Sequence, residues 1–96
     1  MLLSEVKENR DVIRTLVEQY GASNIRLFGS VSRGEEGPDS DIDFLVEFPR
    51  GYDLLGQRIP LIEKLSSLLH RRVEVIPEHE LNRYIRDQVL SEAVDL

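Results

Sequence analysis

The stretch from Asp41 to Phe48 reads Asp-Ile-Asp-Phe-Leu-Val-Glu-Phe, and it leaves the chain little choice of fold. Its period-two alternation makes it a strand, with Ile42, Phe44, Val46 and Phe48 on one face and Asp41, Asp43, Leu45 and Glu47 on the other. An apolar row of that length requires a covering layer, so the strand belongs in a sheet packed on one side. The two aspartates then share the opposite side. Their α-carbons stand ~7 Å apart, and carboxylates that converge to ~5 Å repel by roughly 3 kcal/mol at an effective dielectric of ~20. A divalent cation offsets that repulsion, and oxygen donors select Mg²⁺ or Mn²⁺ over zinc or copper.

Upstream, Ile25-Arg26-Leu27-Phe28 predicts a short strand that stops at Gly29. Glycine there lets a ligand approach the backbone, and Ser30 offers a hydroxyl and a backbone N–H where the next helical turn begins. Such a corner suits phosphate. Arg33 follows on the same side of the turn, where it meets either a triphosphate or a carboxylate from Asp39, Glu35 or Glu36. Ser40, just before the aspartates, reads from its residue type as a hydrogen-bonding member of the turn. Further on, Arg72-Val73-Glu74-Val75-Ile76 predicts a strand closed by Pro77, and if it neighbours the aspartate strand, Glu74 completes a triad of carboxylates. An anion corner beside paired carboxylates is the equipment of metal-assisted phosphoryl or nucleotidyl transfer.

Gly29-Ser30, ten intervening residues and Asp41-Ile42-Asp43 resemble the signature of nucleotidyltransferases related to DNA polymerase β, and within them the minimal nucleotidyltransferase (MNT) family. The resemblance extends through residues 27–34, 40–46 and 72–76. It implies a palm-like fold and transfer of AMP from ATP. Asp41, Asp43 and Glu74 would be the catalytic and metal-binding residues, holding a pair of Mg²⁺ ions, and Gly29, Ser30, Arg33 and Ser40 the nucleotide contacts. The family commonly carries Arg or Lys where Arg33 stands, which favours the phosphate contact. It usually has Asp where this chain has Glu74, whose extra methylene shifts metal geometry and deprotonation of the acceptor. The family further implies that the acceptor comes from elsewhere: a tyrosine on a small helical HEPN-domain partner, with this chain the antitoxin of a type VII-like toxin–antitoxin pair. A different class of function fits the same residues, namely a non-catalytic antitoxin or assembly subunit that acts by binding its partner.

The rest of the chain supplies the frame. Residues 4–20 predict one amphipathic helix with Leu2, Leu3, Val6, Ile13, Leu16, Val17 and Tyr20 on a single stripe, capped by Ser4 and stopped by Gly21. A second helix is expected over 57–69, with Asp53 as a cap ahead of it, Pro60 in its first turn, Arg58 solvated and His70 at its end. A third is expected over 78–94. The expected architecture is α/β: a small mixed sheet of about three strands, helices on one face, carboxylates on the other, in one domain over residues 1–96.

Composition narrows the partners. A net charge of −6 disfavours direct binding of nucleic acid, because that affinity comes from Lys and Arg on phosphates, so nucleic acid would enter only through a partner. Arg71-Arg72 and Arg83/Arg86 are the candidate local exceptions. No apolar run approaches ~20 residues, the N-terminus does not have the layout of a signal peptide, and cysteine is missing from the composition, so the expected setting is cytoplasmic and away from the membrane.

Overall fold

The aspartate-bearing strand, β2 (Ile42–Glu47), lies inside a four-stranded sheet of order β3-β2-β1-β4, where β1 is Ser23–Phe28, β3 is Val73–Pro77 and β4 is Val94–Asp95. The computed structural model describes residues 2–96. β2 is antiparallel to β1 and parallel to β3. A parallel pair needs a crossover, and α3 (Ile59–Leu69) provides it. Two helices, α1 (Leu2–Glu8) and α2 (Arg10–Gln19), come before the sheet, and α4 (Arg83–Glu92) follows β3.

Register fixes the core. Ile42, Phe44 and Val46 lie opposite Val73, Val75 and Pro77 on one side, and Phe44 lies opposite Leu27 on the other. These residues are buried together with Val6, Ile13 and Val17 from the N-terminal helices and Leu61 and Leu65 from α3. The helical layer thus covers the face that the alternation of β2 requires.

The second face carries more than the expected carboxylates. Leu45 is fully buried there, as is most of Arg26, its partner on β1. The chain after β3 crosses this half: Glu78 accepts from Arg26 Nη2 at 2.8 Å and from Arg86 Nη2 at 3.0 Å. The two guanidinium groups, Arg26 first, hold the Glu78 carboxyl below its ordinary range against the opposing effect of burial. Uncovered sheet therefore remains only toward the start of β2 and β3.

Four element boundaries depart from the sequence reading, each for a local reason. The first helix is two, divided at Asn9, whose side chain donates back to the Glu5 carbonyl at 2.8 Å and competes with the helical ladder. Ser4 lies inside α1 and does not cap it. Asp53 does cap, accepting from the Leu55 N–H, but the turn it opens is π-helical over Leu54–Arg58, with Pro60 in the first turn of α3 as expected. The departure at the last helix is the largest in consequence. Residues Glu78–Glu80 form a 3₁₀ turn, Leu81 is extended, Asn82 caps Tyr84 N–H at 2.8 Å, and the chain leaves α4 to add β4 beside β1, one strand more than predicted.

Arg58 is also not the solvated side chain its helix position suggests. Its Nε donates to the Val75 carbonyl at 2.7 Å, and its Nη1 to Tyr52 Oη and Glu80 Oε1, both at 3.1 Å. Since β3 is an edge strand, this occupies a carbonyl that would otherwise template pairing with another chain.

Phe44 is fully buried at the centre of the sheet. Phe44→Ala is expected to lower the free energy of unfolding by about 3–5 kcal/mol, measured by urea denaturation, with the denaturant dependence unchanged.

Candidate active site

Three strand ends meet at one end of the sheet and carry every residue that the sequence singles out for chemistry. The order of strands sets their lateral positions. The Gly29-Ser30 turn follows β1, Asp41 and Asp43 open β2, and Arg72 and Glu74 open β3. Neighbouring strands lie ~4.8 Å apart, so the glycine-serine corner and Glu74 flank the aspartates from opposite sides. Asp43 is in direct register with Phe28 on β1 and with Glu74 on β3, and directly paired residues project to the same face. Strand pairing therefore sets Asp43 and Glu74 side by side on one face.

The corner itself depends on a missing side chain. Gly29 has φ 78°, in the left-handed region, and a Cβ placed on it would collide with the Asp43 carboxylate. Backbone and carboxylate are thus held face to face. The turn beyond is closed by Ser32 Oγ donating to the Gly29 carbonyl at 2.7 Å and by the N–H groups of Arg33 and Glu35 donating to the Ser30 carbonyl.

Asp43 is half-buried between these neighbours, and its carboxyl is held above the ordinary range. Burial is the largest cause, followed by the charge on Asp41 and then that on Glu74. Asp41, by contrast, has a counter-ion, since Arg72 Nε donates to its Oδ1 at 2.9 Å. That partner was not legible in the sequence, where the Arg71-Arg72 pair read as a candidate basic surface. Arg71 turns inward instead: its Nη1 donates to the carbonyls of Pro38 and Ser40 at 3.1 and 3.2 Å and clamps the loop ahead of Asp41.

The remaining predicted contacts divide. Ser40 Oγ accepts from the Gly37 N–H at 2.8 Å, the turn role its residue type suggests, and its hydroxyl proton stays available. Arg33 is paired with Glu35 at 3.0 Å, as one of its two sequence readings held, and additionally with Glu92 of α4 at 3.2 Å. Both ion pairs are exposed, so a polyphosphate can displace them at little cost. Glu47 is a surface charge that accepts from Asn24, and His70 ends α3 in a left-handed conformation. Arg83 and Arg86 make no joint basic surface, because Arg86 is bound to Glu78 and Arg83 stacks over Tyr84.

Comparison with known proteins gives a consistent set of relatives. The sequence model of the nucleotidyltransferase domain matches residues 9–96. The protein adenylyltransferase MntA of Thermococcus cleftensis is 41% identical over 81 residues, covering 84% of this chain and 81% of its own length. A solved structure described provisionally as a minimal nucleotidyltransferase superposes with a TM-score of 0.87 at 41% identity, over 100% of this chain and 97% of that one. A toxin–antitoxin structure with AMP-PNP superposes with a TM-score of 0.76 at 28% identity, over 91% of this chain and 71% of that one. A complex of a tri-AMPylated Shewanella oneidensis HEPN toxin with an MNT antitoxin does so with 0.69 at 25% identity, over 93% and 69%.

The raised carboxyl of Asp43 has a consequence for stability. Between the ordinary and the raised pKa the native state binds more protons than the unfolded chain, so stability falls as pH rises, and ionised Asp43 is destabilising in full above both values. In chelator, Asp43→Asn is expected to raise the midpoint of urea unfolding at neutral pH, with the gain vanishing near pH ~3. A variant no more stable than wild type at neutral pH would contradict the electrostatic account.

Proposed function

Because this chain belongs to the nucleotidyltransferase domain family, we propose that it transfers AMP from ATP to a tyrosine hydroxyl of a HEPN-type partner protein, as the antitoxin of the pair. The observation that carries this reading is the lateral order of the site: anion corner over β1, aspartates on β2, third carboxylate in register on β3. In-line displacement at phosphorus needs an attacking and a leaving oxygen on opposite sides of the reacting atom. With the β- and γ-phosphates seated on Gly29 and Ser30, the α-phosphorus lies above Asp41 and Asp43, and the acceptor enters over Glu74. The tyrosyl oxygen forms the new bond to phosphorus as the bond to pyrophosphate breaks, and Glu74 takes the tyrosyl proton.

The donor set fits Mg²⁺. Asp41 and Asp43 would hold it, with Glu74 on the ion nearer the acceptor, and all their donor atoms are hard oxygens. Among the described residues no three such side chains already form a cage. Mg²⁺ typically takes one or two carboxylates and completes its shell with water and substrate phosphates. When bound, it neutralises charge on the triphosphate and favours the ionised acceptor. Arg33 can exchange its exposed carboxylates for a phosphate, and Ser40 keeps its hydroxyl proton free to donate to the nucleotide, each as a supporting contact.

The longer Glu74 side chain sits where the acceptor proton leaves, so it affects rate more than nucleotide affinity. With α-labelled ATP, Mg²⁺ and the co-purified HEPN partner, label is expected on a partner tyrosine. Asp43→Ala should lower that labelling by about 10²-fold or more, while the complex with the partner persists on size exclusion. Equal labelling by both proteins would remove the catalytic assignment.

A further inference from the structure

We propose that Arg71 is a positioning residue for the carboxylate of Asp41, which the sheet itself does not hold. The proposal rests on the reading above, in which Asp41 and Asp43 take a divalent cation. It concerns how the first of the two is kept in place.

The two aspartates are fixed by different means. Asp43 is in register with Phe28 on one side and with Glu74 on the other, whereas β2 begins at Ile42 and Asp41 has no register partner on either neighbouring strand. Residues 35–41, which lead to it, form no helix or strand, and they carry Glu35, Glu36, Asp39 and Asp41 without a single cation. Like charges on an irregular segment push it outward. A restraint must therefore come from elsewhere in the chain.

Arg71 supplies it from the turn between α3 and β3. Its Nη1 sits among three carbonyl oxygens of the segment, those of Pro38, Ser40 and Gly37, at 3.1, 3.2 and 3.4 Å. Its own backbone is anchored, because the Arg71 carbonyl accepts from Ser66 Oγ of α3 at 2.6 Å. The bond to Ser40 matters most for Asp41. That carbonyl shares one rigid plane with the N–H and α-carbon of Asp41, so holding it sets the direction in which Asp41 leaves the loop. On the other side, the Ile42 N–H donates to the Arg72 carbonyl at 2.9 Å. Asp41 is thus suspended between two backbone contacts, both made to the dipeptide Arg71-Arg72. The bond from Arg72 Nε to the Asp41 carboxylate competes with a cation for the same group, whereas the bonds of Arg71 are made to backbone and persist when a cation arrives. Groups that orient a ligand in this way commonly change metal affinity without touching the metal.

The test is binding of Mn²⁺ to the chain without nucleotide, followed by the loss of the free-ion electron paramagnetic resonance signal and counting only the binding that Asp43→Ala removes. Arg71→Gln is expected to weaken it about tenfold. Charge alone gives the opposite sign, since taking a positive group away from a cation site strengthens that site. Arg72→Gln, which removes the same charge and a competitor for Asp41, is expected to bind Mn²⁺ no more weakly than wild type. The urea midpoint of Arg71→Gln should stay close to that of wild type, because the loop it releases lies outside the core. Mn²⁺ affinity in Arg71→Gln equal to or above that of wild type overturns the proposal. So does loss of the native fold in that variant, which would make Arg71 a structural residue, and so does an equal weakening by Arg72→Gln. A wild-type chain that holds no Mn²⁺ would instead remove the metal-site reading beneath it.

Discussion

The half-buried carboxylate of Asp43 is the constraint on which the site depends. Strand alternation puts Ile42 and Phe44 into the core on either side of it, so Asp43 cannot leave its face without unpacking two fully buried side chains. Held there, it is desolvated and faces the charges of Asp41 and Glu74. Its position in turn requires glycine at residue 29, since a Cβ would occupy the space of the carboxylate. The fold thus maintains an electrostatically unfavourable arrangement at the one end of the sheet that the later chain leaves uncovered.

Covering the other end is the work of charged residues as much as apolar ones. Arg26, Glu78 and Arg86 form a partly buried chain of ion pairs that ties the segment after β3 to β1, next to buried Leu45. Arg58 joins the edge of β3 to Tyr52 and Glu80, and Arg71 joins the start of β3 to the loop before Asp41. The guanidinium groups of Arg26, Arg58 and Arg71 each reach backbone or carboxylate acceptors on an element distant in sequence. Fork geometry suits this bridging, and a small domain with one modest core gains from it.

A division of labour follows among the arginines. Arg26 and Arg58, which hold the frame, are tied to several acceptors and largely shielded from water, whereas Arg33 and Arg72, on either flank of the aspartates, are held by exposed contacts. Exposed pairs contribute little to stability, so these two can change partners at little cost.

What could be read along the chain was whatever has a local period or a local cause. The alternation of residues 41–48 identified β2 and sorted its core from its carboxylates, the stop at Gly29 marked the turn, and Asp53 and Pro60 marked the entry to α3. Pairing decided the rest. Whether Glu74 stands beside Asp43, which cation meets Asp41, and whether Val94 and Asp95 end a helix or start a strand all depend on contacts between residues dozens of positions apart. Spacing in the sequence carries no energy of its own for such contacts; they form because burying one face of the sheet sets a common register, and that register exists only once the strands and helices have packed.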